Sequence, residues 1–118
     1  MTGEFQVLQG QVCWYNFGDA TGSMPGKVRP VVVIQGNQLN KSKLHTTIIV
    51  PLTSRLERAD FPGNVFVSAR SSGLPKDSVA LPTQVTVINK ADLEYPAGLL
   101  PSATVAAIIA GLNLTLDN

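Results

Sequence analysis

This chain has very little of several things. There is one cysteine, Cys13, and one histidine, His45, and charged residues make up only 14% of the sequence. A single cysteine excludes an intrachain disulfide and makes the cytoplasm the expected compartment. One histidine and no Cys/His/acid cluster at ligand spacing leave no dedicated metal site and no implied cofactor. No run of about 18 apolar residues is present to span a membrane. The opening "MTGEFQVLQG" carries an acid and no basic-then-apolar leader, so no signal peptide is expected. With 44% hydrophobic residues over 118 positions, the composition is that of one folded domain, residues 1–118. A chain of this length buries roughly two thirds of its unfolded surface.

Net charge is only +1, but it is unevenly distributed. Residues 27–58 carry six basic residues (Lys27, Arg29, Lys41, Lys43, Arg55 and Arg58) against Glu57 alone, a local +5. The other three basic and seven acidic residues give −4. Such asymmetry suits a surface facing phosphates. It equally suits ordinary solvated charges on strand edges and loops.

Short β-rich segments alternate with turn signals. "QVCWYNF" (11–17) reads as a first strand and "RPVVVIQ" (29–35) as a second, joined by the Gly-rich loop 18–27. Residues 36–43 read as a turn-rich connection. In "LHTTIIVPLT" (44–53), Leu44, Ile48, Val50 and Leu52 share one face, and His45, Thr47, Pro51 and Thr53 the other. "VFVSA" (65–69) reads as a strand after loop 54–64. "SVALPTQVTVI" (78–88) reads as one long or broken strand with a bend near Pro82, and 89–94 as a helical turn opened by Asn89. Residues 101–118 form the one convincing helix, with Ser102 as N-cap and apolar positions Val105, Ile108, Ile109, Leu112 and Leu116 at 3.6-residue spacing. Its far side is rich in Ala and Thr, which implies contact on more than one side. The derived architecture is a small, mostly antiparallel β-barrel with a C-terminal helix packed on it.

Arg29 opens an apolar strand beside the Gly-rich loop, and Thr53 closes another before a basic loop. If those strands pair antiparallel, the start of one lies beside the end of the other. An arginine fork with a hydroxyl donor suits a phosphodiester, whose pentacoordinate transition state carries extra negative charge. The plainer alternative is that Arg29 caps a strand end and Thr53 satisfies a turn. His45 lies eight residues from Thr53, roughly 26 Å along a strand, too far to act on the same phosphate. Cys13 beside Trp14 reads as core packing, and Asp77 and Ser78 as turn residues. Gln84 either reads a base edge or flanks a ladder.

Four segments in order carry a resemblance: "GQVCWYNFGDATGSMPGKVRPVVVIQ" (10–35), "TTIIVPLTS" (46–54), "PGNVFV" (62–67) and "GLPKDSVALPTQVTVINKADL" (73–93). Together they resemble the MazF/PemK family of toxin ribonucleases over nearly the whole chain. The resemblance implies a fold similar to that of the plasmid toxin CcdB: mostly β with α, an SH3-like small barrel with a C-terminal helix. It implies a homodimer, metal-independent cleavage of single-stranded RNA at short sequences, and a labile MazE-like antitoxin whose acidic segment occupies the RNA groove.

By matching position, Arg29 and Thr53 are the family's catalytic pair. Ser23 belongs to the "GS" of the first loop, which contacts or gates RNA. Lys27, Arg55 and Gln84 join Ser23 as expected RNA contacts. Met24 stands where many members carry glutamate. Two other readings use the same fold without chemistry: a CcdB-like gyrase inhibitor and a non-catalytic RNA-binding module.

Overall fold

The computed structural model describes residues 5–18 and 27–117. Seven strands form one curved antiparallel sheet: β1 (Gln11–Asn16), β2 (Val28–Val33), β3 (Thr46–Thr53), β4 (Val65–Val67), β5 (Ser78–Ala80), β6 (Thr86–Asn89) and β7 (Glu94–Leu99). The order is β4-β5-β3-β2-β1-β7, and β6 also pairs with β3. The sheet is therefore a half-barrel rather than a closed one. The described residues also form three α-helices: α1 (Asn37–Asn40), α2 (Ala69–Ser72) and α3 (Ser102–Leu116).

Four consecutive apolar residues, Val31 to Ile34, follow Arg29 because both faces of the sheet are covered. Val32 and Ile34 enter one core with Val12, Val50, Leu52 and the α3 residues Val105 and Ile108. Val31 and Val33 enter a second core with Val7, Cys13, Ile49, Ile88 and Leu93. Alternation thus places successive residues in different cores, and every position of the run is buried. The side of β3 expected to be the more polar one is covered as well. Thr47 is fully buried, and its hydroxyl donates to Asn40 Oδ1 at 2.8 Å.

β3 is the central strand because it has three partners. β2 runs along one side through Val31↔Pro51, Val32↔Val50 and Val33↔Ile49. The other side is divided between β6, paired with residues 46–49, and β5, paired at Leu52↔Ala80 and Thr53↔Val79. Pro51 sits at the joint, and its carbonyl accepts from Leu81 N–H at 3.0 Å. A strand residue's N–H points to the same side as its carbonyl, so the missing proline donor falls where β5 bends into β6 and no ladder bond is lost. This joint is the break expected near Pro82; a 3-10 turn at Pro82–Gln84 fills it.

Other expectations need correction. β7 occupies "EYPAGL", a stretch not expected to form a strand. It is an edge strand on β1, with its register broken between Trp14↔Glu94 and Val12↔Gly98. Strand 65–69 stops at Val67, because Ser68 caps α2 by accepting from Ser71 N–H. Helix α3 begins at Ser102, but Pro101 takes the N-cap position and no side chain caps it. Leu116, expected on the apolar stripe, is 72% exposed. The 89–94 segment is a 3-10 turn, Lys90–Asp92, entered from Asn89 without a side-chain bond.

Cys13 lies fully buried in the second core, and burial pushes its thiol up to about 12. We expect no alkylation of the folded protein by iodoacetamide at pH 8 and full labelling in denaturant, because the thiolate is the nucleophile. Rapid labelling of the native protein, followed by mass spectrometry, would contradict the packing described here.

Candidate functional site

Antiparallel pairing gathers three strand ends at one end of the sheet. Arg29 lies near the start of β2. Thr53 ends β3, and Ser78 starts β5. Continuing the Val31↔Pro51 register by one pair on the same face sets Arg29 opposite Thr53. Continuing Thr53↔Val79 sets Ser54 opposite Ser78. On the outer side, Pro30 pairs with Trp14 of β1.

A cleft of about 350 Å³ opens at this end. Arg29 and Lys76 supply its charge, Ser54 and Ser78 its hydroxyls, and Trp14, Pro30, Leu52, Leu74 and Pro75 its apolar walls. No carboxylate is among its described lining residues. The partly buried Arg29 guanidinium has no hydrogen bond or ion pair among the described residues. Its five donors are therefore available to a ligand. Among the described residues, every buried side-chain polar atom is satisfied, so the unpartnered nitrogens of Arg29 are ones that reach the surface.

Thr53 is 6% exposed and is not among the lining residues, although its neighbours Leu52 and Ser54 are. Its Oγ1 accepts from Arg55 N–H at 3.3 Å. That bond uses an oxygen lone pair and leaves the hydroxyl proton to donate. It also fixes the chain's exit from β3 into the 3-10 turn Leu56–Asp60.

The other expected contacts are dispersed. Lys27 is exposed at the foot of the β1–β2 connection, where its carbonyl accepts from Phe17 N–H and its own N–H donates to Gly18 O. Its φ of +64 is unusual for a residue with a side chain. Arg55 is exposed beside Thr53 but outside the cleft lining. Gln84 sits in the 3-10 turn packed against α3, and its carbonyl accepts from Thr86 Oγ1. It is not brought to the Arg29 cleft. Ser23, with Met24, lies outside the described residues. His45 lines a separate depression of about 900 Å³ at the opposite end of β3, as its distance from Thr53 required.

Sequence reasoning missed Trp14, Ser54, Lys76 and Ser78 as members of one cleft. Lys76 and Ser78 stood in plain view in "GLPKDSV", read only as a turn. Only the β3–β5 pairing, a contact between distant parts of the chain, brings that turn to Arg29. Among the described residues, no group of three or more His, Cys, Asp or Glu side chains is placed to share a metal ion. No helix of the described residues is long and apolar enough to cross a membrane.

Residues 8–116 match the family described as PemK-like, MazF-like toxin of type II toxin-antitoxin system. The endoribonuclease MazF6 of Mycobacterium tuberculosis is 38% identical over 111 residues, covering 94% of this chain and 97% of that protein. Among solved structures, MazF from Deinococcus radiodurans superposes with a TM-score of 0.77 at 21% identity, covering 96% of this chain and 98% of that one. The MazE-MazF structure from the same organism gives 0.72 at 21% identity, covering 96% and 97%. The fold and the family agree: this chain belongs to the PemK/MazF toxins of type II toxin–antitoxin systems.

Proposed function

We propose that this protein is a single-domain toxin that cleaves single-stranded RNA at short sequences, without a metal ion or other cofactor. The observation that carries the reading is the free arginine fork of Arg29, set by β2–β3 register opposite the hydroxyl of Thr53. A gyrase inhibitor has no use for phosphate ligands at that crevice, and the MazF relative is an endoribonuclease by name.

In the proposed reaction the ribose 2′-oxygen attacks the adjacent phosphorus. The new O2′–P bond forms as the P–O5′ bond breaks, giving a 2′,3′-cyclic phosphate and a 5′-hydroxyl. The 2′-OH proton passes to solvent, and the leaving O5′ takes one from solvent. Arg29 hydrogen-bonds two non-bridging oxygens, and Thr53 donates to one of them, so both act where charge accumulates. The arginine pKa, above about 12, makes it a poor base near neutrality, so its contribution is electrostatic. Lys27, Arg55, Ser23 and Gln84 contact the flanking RNA in this reading, which for Gln84 requires a path that extends beyond the cleft. Met24, in place of a glutamate common in the family, removes one carboxylate from proton transfer. The protein acts in the cytoplasm as a homodimer, and a MazE-like antitoxin restrains it, as the MazE-MazF complex of the structural neighbour suggests.

The test is purified protein with a long single-stranded RNA in excess EDTA. Discrete fragments with cyclic-phosphate ends are expected. Intact RNA from well-folded protein, beside trapped gyrase–DNA complexes, would overturn the proposal.

A further inference from the structure

The reaction needs one phosphate, yet the cleft has a second cation and an aromatic wall that the reaction leaves unused. Building on the ribonuclease reading, we propose that the cleft is a one-nucleotide subsite of the RNA path. The Trp14 ring stacks one base beside the scissile bond, and the Lys76 ammonium takes the phosphate on the far side of that nucleotide.

Three features argue for a built site. First, the loop carrying Lys76 is pinned on both sides. Leu74 is buried and its N–H donates to Ser72 Oγ at 3.0 Å, while Asp77 Oδ1 accepts from Ala69 N–H at 2.8 Å. Gly73 lies so close to Ala97 and Gly98 of β7 that a Cβ there would overlap the Ala97 carbonyl. Lys76 itself is exposed and has no partner among the described residues. Second, Arg29 and Lys76 face one cleft with no acid among its described lining residues, and Asp77, next to Lys76 in sequence, is occupied by its turn. Two like charges in one cleft repel, and an anionic ligand relieves that repulsion. Third, Trp14 is half-buried against the first core, with Pro30 its partner across the β1–β2 ladder and Pro75 in the same cleft lining. Its ring is fixed before a base arrives, so stacking requires little further ordering. Cations alternating with a flat apolar wall suit a nucleotide better than an acidic peptide, which needs the charges alone.

Trp14 is the chain's only tryptophan, so its emission reports this cleft directly. The probe is a single-stranded oligonucleotide made uncleavable by 2′-deoxy substitution, with a dye at one end for anisotropy. We expect saturable quenching of Trp14 that tracks the anisotropy. Lys76→Ala weakens binding, raises KM, and makes the dependence of log K on log salt shallower by about 0.7, the loss of one phosphate contact on a single strand. Lys76→Arg restores both. Trp14→Leu weakens binding on the order of tenfold, with Trp14→Phe falling between, at melting temperatures that show all four variants folded.

Binding and RNA cleavage without a change in Trp14 emission, or with an unchanged salt slope in Lys76→Ala, would overturn the subsite and leave the ribonuclease reading intact. Quenching by an acidic peptide but not by the oligonucleotide would reassign the cleft to a protein partner and overturn it as well. Neither binding nor cleavage of any RNA would sink both proposals.

Discussion

Arg29→Ala is expected to slow RNA cleavage by on the order of 100- to 1000-fold while leaving the fold intact. The loss follows from removing a fork of donors aimed at charge that develops only in the transition state. The intact fold follows from the guanidinium having no partner among the described residues. A side chain that satisfies nothing in the folded protein changes stability by about 0.5 kcal/mol or less when truncated. Arg29→Lys restores charge without the planar fork and is expected to recover only part of the rate. Thr53→Ala should also slow cleavage, but with some loss of stability, since Thr53 Oγ1 accepts the Arg55 N–H. Single-turnover cleavage assays with thermal melts separate these effects. A folded Arg29→Ala protein with near-normal cleavage would remove the centre of the proposed mechanism.

The second large effect concerns Gly111→Ala on α3. Helix propensity alone favours alanine over glycine by about 1 kcal/mol at an interior position. Packing reverses the sign. A Cβ on Gly111 would overlap the Gly63 carbonyl and come within 3.0 Å of Pro82 Cγ. Backbone and ring must then shift, and overpacking of this kind costs typically 1–3 kcal/mol, occasionally more. Here the neighbour is backbone on one side and the β5–β6 joint on the other, so the upper end applies. We expect a net loss of about 2 kcal/mol and a Tm lower by roughly 8–10 °C. Gly36→Ala is the control. Gly36 has an ordinary φ of −63 and open space around the missing Cβ, so alanine there should be neutral or stabilise by about 0.5 kcal/mol. A Gly111→Ala protein that melts higher than the parent would show that α3 does not approach residue 63 as closely as described.

Much of this fold was legible in the sequence, and the omissions have a common physical cause. β1, β2, β3 and α3 are marked by runs of apolar residues with the right period, and each was placed within two residues of its bounds. β7 was not legible because "EYPAGL" contains Pro96 and Gly98, poor strand formers. It exists because β1 offers it an edge, where a proline's missing donor can face away from the ladder. Tyr95, with φ of +48, marks the irregularity that this costs.

The site divides in the same way. Arg29 and Thr53 were legible because their strands announce themselves and antiparallel pairing does the rest. Trp14 looked like core because its neighbour Cys13 is core. Strand alternation turns the two to opposite faces, and Trp14 meets Arg29 only in the lining of one cleft, which no local pattern announces. Lys76 depended on a contact between residues 53 and 79, which no local pattern encodes.

Removing the nucleophile rather than the protein group tests the mechanism at its centre. After one cut is mapped in a long RNA, two oligonucleotides spanning it are compared in excess EDTA. One is all-ribo, and the other carries a single 2′-deoxy sugar on the 5′ side of the cut. Equal binding of both strands is expected, with cleavage of the all-ribo strand alone and a 2′,3′-cyclic phosphate on its product. Cleavage of the deoxy-substituted strand at the same bond would show that water, not the 2′-hydroxyl, attacks, and would contradict the mechanism assigned to Arg29 and Thr53.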